Sequence, residues 1–198
     1  MLFEPQNFDH LIGTQGFSDT LMKNHFTLYQ GYVTNTNKLT DAFKKFRDEG
    51  TLANPEAAEL RRRFGWEFNG MRLHELYFGN MTKGKSALPT GEKIEKKIVA
   101  DFGSTDAFMK EFKAVGSQRG IGWAVLTYDI ATDHLFNIWV NEHDVGHLAA
   151  TAPLLIMDVF EHAFVLDYGL KRADYIEAFW NAIDWSAVDR RLGLVYQG

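Results

Sequence analysis

Asp158 and His162 lie four positions apart in Asp158-Val159-Phe160-Glu161-His162, directly after the apolar run Pro153-Leu154-Leu155-Ile156-Met157. A carboxylate that follows such a run is costly to bury unless a cation or hydrogen bonds compensate it. With an imidazole beside it, the pair supplies half of a metal-ligand set; the plainer alternative is a structural Asp–His pair in which Asp158 caps the next helix. Two further histidines stand in helix-like patterns, His25 in Met22-Lys23-Asn24-His25-Phe26 and His74 in Met71-Arg72-Leu73-His74-Glu75. Taken singly, each reads more simply as a hydrogen-bonded core residue than as a ligand. Together, three histidines and one aspartate make a nitrogen and oxygen donor set suited to iron or manganese. The chain has no cysteine, which excludes disulfides, thiolate nucleophiles, iron–sulfur clusters and thiolate-bound metals.

The elements that must carry these residues follow from periodicity. From Asp19 to Phe43, the residues Leu21, Met22, His25, Leu28, Tyr29, Tyr32 and Val33 recur at about 3.6 residues, which puts His25 on the apolar face of a helix. A second helix is expected from about Glu56 to Met81, with Phe64, Phe68, Met71, His74, Tyr77 and Phe78 on one stripe, so His74 also points inward. Leu88-Pro89-Thr90-Gly91 reads as a junction between an N-terminal helical domain, residues 1–88, and a C-terminal domain, residues 89–198. Thr90 is placed to cap a helix through Ile94, Ile98 and Phe102, and a short helix from about Thr105 to Val115 follows.

The pattern then changes to β-formers in Ile121–Tyr128 and His134–Val140, joined through Ala131-Thr132-Asp133 as an antiparallel pair. A third strand, about Leu154 to Met157, leaves Asp158 at its C-terminal end, where the chain turns into the helix carrying His162. Arg172 to Leu194 reads as helix again, with Tyr175, Phe179, Ile183 and Trp185 apolar. The fold class is α+β: a helical N-terminal hairpin domain, then a C-terminal domain with a three-stranded antiparallel sheet flanked by helices.

Bulk properties narrow the function. A chain of 198 residues with 45% hydrophobic and 14% aromatic content forms a well-buried globule. A net charge of -5 argues against nucleic-acid or anionic-membrane binding. The run Arg61-Arg62-Arg63, flanked by Glu56 and Glu59, reads as a solvated helix face rather than an interaction patch. Met1-Leu2-Phe3-Glu4-Pro5-Gln6 lacks a basic start followed by an apolar stretch, and no apolar run approaches the ~18 residues of a membrane span. The expectation is a soluble cytoplasmic protein.

Further segments carry a resemblance. They are His25 through Tyr32-Val33-Thr34-Asn35-Thr36-Asn37, Phe68-Asn69-Gly70 through His74, Asp101-Phe102-Gly103-Ser104, Gly122-Trp123, Asp158 through Ala163, and Asp174-Tyr175 through Trp185. In this order the chain resembles the iron/manganese superoxide dismutase family from about Leu21 to Leu192. The resemblance implies one iron or manganese ion per subunit, held by His25, His74, Asp158 and His162 with a solvent molecule as fifth ligand. It implies dismutation of superoxide anion to dioxygen and hydrogen peroxide, the ion cycling between its trivalent and divalent states. By position, Trp123 and Trp180 form an aromatic wall and Tyr32 is the gateway tyrosine, whose phenol relays protons to the product; simple core packing is the plain alternative for each. His143 stands where the family places a donor to the metal-bound solvent, the other position for it, near Gly70, being empty; this leaves iron against manganese open.

The resemblance also implies that Glu161 reaches across a dimer interface to orient a ligand histidine, giving a homodimer or, by pairing of dimers, a homotetramer; an ordinary surface glutamate is the alternative. Arg172 matches a basic residue near the entrance that favours anion entry. His10, His134 and His147 match no ligand position.

Two departures mark the entrance. The family commonly has adjacent histidines before the gateway tyrosine, where this chain has Leu28-Tyr29-Gln30-Gly31 and is one residue shorter. A π-bulge in the family helix that is absent here would account for the loss. Phe164-Val165 replaces two tyrosines. Three other functions compete with dismutation: an oxygenase iron site, a hydrolytic zinc site, and a superoxide-dismutase-like protein without turnover.

Overall fold

The computed structural model describes residues 2–84 and 87–196. Two long helices make the N-terminal hairpin, α1 (Asp19–Asp48) and α2 (Pro55–Phe78). Ser18 caps α1 by accepting from the Leu21 amide at 3.1 Å, and Asn54 caps α2 by accepting from the Ala57 amide at 2.7 Å. Each such cap stabilises its helix by about 1 kcal/mol. Pro55 suits the first turn, where its missing N–H leaves nothing unsatisfied. The buried face of α1 runs through Leu21, Met22, His25, Phe26, Tyr29, Tyr32, Val33, Thr36 and Asn37, matching the expected stripe. The helix is continuous α-helix between His25 and Tyr32, with no π-turn.

Two shorter helices follow, α3 (Lys93–Phe102) and α4 (Thr105–Gly116). Thr90 does not cap α3: the helix starts later, from Glu92, and that residue makes no side-chain cap. Gly103 ends α3 with a φ of 81°, a left-handed conformation that glycine adopts without strain.

Strands β1 (Gly122–Asp129), β2 (His134–Asn141) and β3 (Thr151–Asp158) form one antiparallel sheet in the order β2-β1-β3. Central β1 is buried on both faces, which its apolar run Trp123–Leu126 satisfies. The third strand is eight residues long rather than four. Pro153 is tolerated because β3 is an edge strand and the ladder slips at that point, between Leu126 and Thr127. The register sets Trp123 opposite Asp158 on one side and opposite Val140 on the other.

His162 lies in a single 3-10 turn, Glu161–Ala163, not in a longer helix. After the short α5 (Val165–Tyr168), the stretch expected as one helix is two, α6 (Arg172–Asn181) and α7 (Trp185–Val195). The break has a main-chain cause: the Thr82 amide donates to Ala182 O at 2.8 Å, and the Asp184 amide donates to Asn80 O at 2.9 Å. Asp184 then caps α7 through the amides of Ser186 and Ala187. One buried apolar cluster extends from Phe8 and Leu21 through the sheet to Leu192, so both halves share a core.

Candidate metal centre

Four residues from four elements converge at the centre of this core: His25 from α1, His74 from α2, Asp158 at the end of β3 and His162 from the turn beyond it. One donor atom of each lies within 4.8 Å of the others. Asp158 is fully buried, and its Oδ1 accepts from the Phe160 amide at 2.8 Å. That leaves Oδ2 for the cluster, where it meets His25 Nε2 at 3.2 Å, His162 Nε2 at 3.1 Å and His74 Nε2 at 3.6 Å.

His74 has its tautomer dictated by its own helix. Its Nδ1 donates to Gly70 O, one turn back, at 2.6 Å, so Nε2 carries a bare lone pair. That Nε2 is buried and has no hydrogen-bond partner. An orphaned buried acceptor costs about 1–3 kcal/mol, a cost that a cation at this point removes. Burial lowers the His25 pKa and holds that of His74 well below the usual range. Burial opposes ionisation of Asp158, but the charge of His162 and hydrogen bonds from His162 and His25 outweigh it and keep the carboxyl well below the usual carboxylate range. A neutral His25 and His74 beside an ionised Asp158 are protonation states that metal binding requires, and three imidazoles with one carboxylate are a donor set that fits an iron or manganese ion.

Aromatic rings close around the set. Tyr32 stacks on His74 with 5.2 Å between centroids, and Trp123 meets His74 edge-on at 5.0 Å. Gly70 makes room for Tyr32: a Cβ there would lie 2.6 Å from Tyr32 Cδ1. That explains why no donor comes from this point of α2.

The sheet side supplies His143 to this aromatic shell. His143 is fully buried, on a tight turn closed by the Asn141 amide donating to Val145 O at 2.7 Å. Trp123 Nε1 can only donate, and it reaches His143 Nδ1 at 3.1 Å. Nδ1 is therefore the acceptor, Nε2 carries the hydrogen, and Nε2 donates to the Tyr32 hydroxyl at 2.8 Å. The single N–H of His143 is thus engaged by Tyr32. Burial depresses the His143 pKa to about 4, keeping the ring neutral. Burial raises the pKa of Tyr32, keeping its phenol protonated.

Trp180 belongs elsewhere. Its ring packs on Phe108, Phe112 and Trp185 with Lys113 over it, and it makes no ring contact with the ligands. The second wall residue is Phe160, stacked on His162 at 5.1 Å and on His143 at 4.7 Å. Its place between Asp158 and His162 was the signal that could have identified it. Trp66, 4.6 Å from His143 and 5.6 Å from Tyr32, was also missed. It lies on the same α2 stripe as Gly70 and His74, one and two helical turns away, and its Nε1 donates to Glu142 at 2.9 Å.

Arg172 does not present a free guanidinium to the entrance. It donates to the carbonyls of Gln118, Gly120 and Val159, tying the approach to β1 to the exit from β3. Glu161 is exposed, and no hydrogen bond or ion pair holds its carboxylate among the described residues. The gap in the histidine run is filled by Tyr29, whose hydroxyl donates to Glu75 at 2.9 Å and accepts from the Gln6 amide. Burial pushes its pKa up to about 12.

Residues 89–191 match the family model described as iron/manganese superoxide dismutases, C-terminal domain. The chain is similar to a superoxide dismutase [Fe] of Methanothermobacter thermautotrophicus, 38% identical over 87% of this chain and 84% of that protein. A superoxide dismutase [Fe] of Aquifex pyrophilus is 36% identical over 95% and 87%. A superoxide dismutase [Mn] of Haloferax volcanii is 36% identical over 81% and 79%.

Proposed function

The chain belongs to the iron/manganese superoxide dismutase family, and from that premise we propose how its residues share the work of dismutation. The reaction converts superoxide to dioxygen and hydrogen peroxide, with one iron or manganese ion per subunit. His25, His74, Asp158 and His162 hold the ion, which when bound supplies one-electron exchange between its trivalent and divalent states. What carries this ligand set is the buried, unpartnered Nε2 of His74 facing Asp158 Oδ2.

Tyr32 and His143 manage protons. Because His143 Nε2–H donates to the Tyr32 hydroxyl, the phenol proton is not used on His143 and is free for the product. Peroxide dianion needs two protons to leave, and a positioned, protonated phenol delivers one of them from Oη. Trp123 keeps this polarity by occupying His143 Nδ1. Trp123 and Phe160 exclude bulk water around the ligands, which strengthens electrostatic interactions within the site.

The active form is a homodimer. Glu161 lacks a partner among the described residues of its own chain, and the His162 side chain is 29% exposed, with Nε2 engaged by Asp158. A Glu161 carboxylate reaching His162 of a second copy satisfies both groups. Ile121 lines the same surface cavity as Glu161, and Val165, Leu166 and Leu170, a few residues further along the chain, are exposed apolar side chains that a subunit contact would cover. Pairing of dimers into a tetramer would use other faces. Division of the chain at residues 88 and 89 fits the change from helical hairpin to mixed α and β structure. A cytoplasmic location is part of this proposal; among the described residues no helix is long and apolar enough to cross a membrane.

Metal analysis of purified protein, with superoxide removal assayed for the iron-loaded and manganese-loaded forms, tests the function. One ion per chain and activity in at least one form are expected. A full complement of metal with no activity in either form supports the protein without turnover.

A further inference from the structure

Arg191 on α7 is a half-buried cation. Among the described residues, its hydrogen bonds go to carbonyl and amide oxygens, not to carboxylates. Its Nη1 donates to Leu154 O at 2.8 Å and to Asn80 Oδ1 at 3.1 Å, and its Nη2 donates to Leu76 O at 2.8 Å. Leu76 is in the last turn of α2, where the free carbonyls carry the negative end of the helix dipole and offset the charge. Burial pulls the Arg191 pKa down to about 10, still far above neutrality.

Asn80 completes the device. It is fully buried, its Oδ1 accepts from the Ile156 amide at 2.9 Å, and its Nδ2 donates to Ile156 O at 3.1 Å and to Tyr77 O at 2.9 Å. The side chain thus pairs with the edge of β3 as another strand would. Gly79 permits the approach: a Cβ there would lie 3.1 Å from Arg191 Nη2 and 2.8 Å from Glu75 O.

The anchor points have a particular relation to the ligands. Leu76 is two residues beyond His74, and Ile156 is two residues before Asp158. Asn80 and Arg191 therefore join the helix that carries one ligand to the strand that carries another, at a distance of one helical half-turn or one strand repeat from each. Neither residue touches the ligands.

We propose that Asn80 and Arg191 are positioning residues that set the separation of His74 from Asp158, and through it how tightly the site holds its metal. The planar fork of Arg191 matters because it bonds the helix carbonyl and the strand carbonyl at once; a lysine ammonium has no such fork. This inference rests on the ligand set proposed above.

The test is manganese(II) affinity, measured by chelator competition on purified metal-free protein whose folding is checked by circular dichroism. Arg191→Lys retains the charge and Asn80→Asp retains the shape, so each disturbs the clamp without emptying it. Val188→Ala, on the same helix but outside the clamp, serves as a destabilised control. Both clamp variants should bind manganese roughly 10-fold more weakly, the lower end of the loss that follows when a direct hydrogen-bond partner of a metal ligand is removed, with Val188→Ala unchanged. Wild-type affinity in the folded clamp variants, or an equal loss in Val188→Ala, overturns the inference. His25→Ala separates the two readings: if it still binds stoichiometric manganese, the ligand set is wrong; if it loses the metal while Arg191→Lys does not, only the clamp is wrong.

Discussion

The two halves of the ligand set are held by different means. His25 and His74 project from within long helices, and His74 is oriented from within α2 by Gly70 O, one turn away. Asp158 and His162 sit at a strand end and on a 3-10 turn, where no regular element continues to hold them. Their support comes from distant parts of the chain. Tyr175 donates to Asp158 O at 2.5 Å, Arg172 donates to Val159 O, and Trp123 is fixed opposite Asp158 by strand register. The helical ligands depend on local geometry, and the strand-end ligands depend on tertiary contacts. Remote substitutions should therefore act on the metal mainly through Asp158 and His162.

The largest effect should come from Asp158→Asn, which removes the one carboxylate of the set and leaves a buried amide among three imidazoles. Purified protein should then contain almost no iron or manganese by elemental analysis, with the helical content unchanged by circular dichroism. Full metal content would show that the histidines suffice.

Acid should act next, through histidines buried in neutral form. His143 moves from an unfolded-state value of about 6.5 to about 4 in the folded protein. As pH falls from about 6.5 toward 4, the unfolded chain takes up a proton that the folded site refuses, so stability is lost over that window. The loss from His143 alone is about 3 kcal/mol, and the lowered values of His25 and His74 act in the same direction. Denaturant unfolding of the metal-free protein at pH 7 and pH 4.5 measures it. His143→Gln should flatten the dependence, and an unaltered slope would mean that His143 takes up its proton in the folded site as readily as in the unfolded chain.

Tyr175→Phe tests the remote support of the strand end directly. It leaves Asp158 O and the Tyr77 hydroxyl, 3.2 Å from Tyr175 Oη, without their partner. The cost should be about 1–3 kcal/mol in unfolding free energy, with weaker metal retention during dialysis against a chelator. Equal retention would argue that Asp158 holds its place without outside help.

The smallest effect sharpens the contrast between two tryptophans. Trp180→Phe should leave metal content and superoxide removal at the wild-type level and change stability by about 1 kcal/mol. Trp123→Phe should lower activity, because it frees His143 Nδ1 and lets the hydrogen bond to Tyr32 reverse.

Much of this was readable in the chain. Helical spacing put His25 and His74 inward because an apolar stripe faces the core wherever the helix packs, and alternation of helix and β-former runs gave the sheet its three strands. Other features were hidden. Nothing near Ala182 breaks the helical pattern; the break arises from amides bonded to Ala182 O and Asn80 O across the fold. The expected strand began at Leu154, yet β3 runs through Pro153 from Thr151, because edge position removes the penalty of its missing N–H. Arg172 looked like an exposed cation because sequence distance conceals the three carbonyls it binds.

The identity of the donor atoms, the absence of sulfur ligands and the inward direction of the two helical histidines were contained in residue types and local periodicity, since these depend on neighbours within a few positions. Whether Trp180 or Phe160 faces the ligands, and which hydrogen His143 carries, depended on the packed fold. Both follow from contacts between elements far apart in sequence: α6 turns Trp180 onto α4, and β1 register delivers Trp123 to His143 Nδ1. Local pattern carries no information about such meetings, because they are set by how complete faces dock.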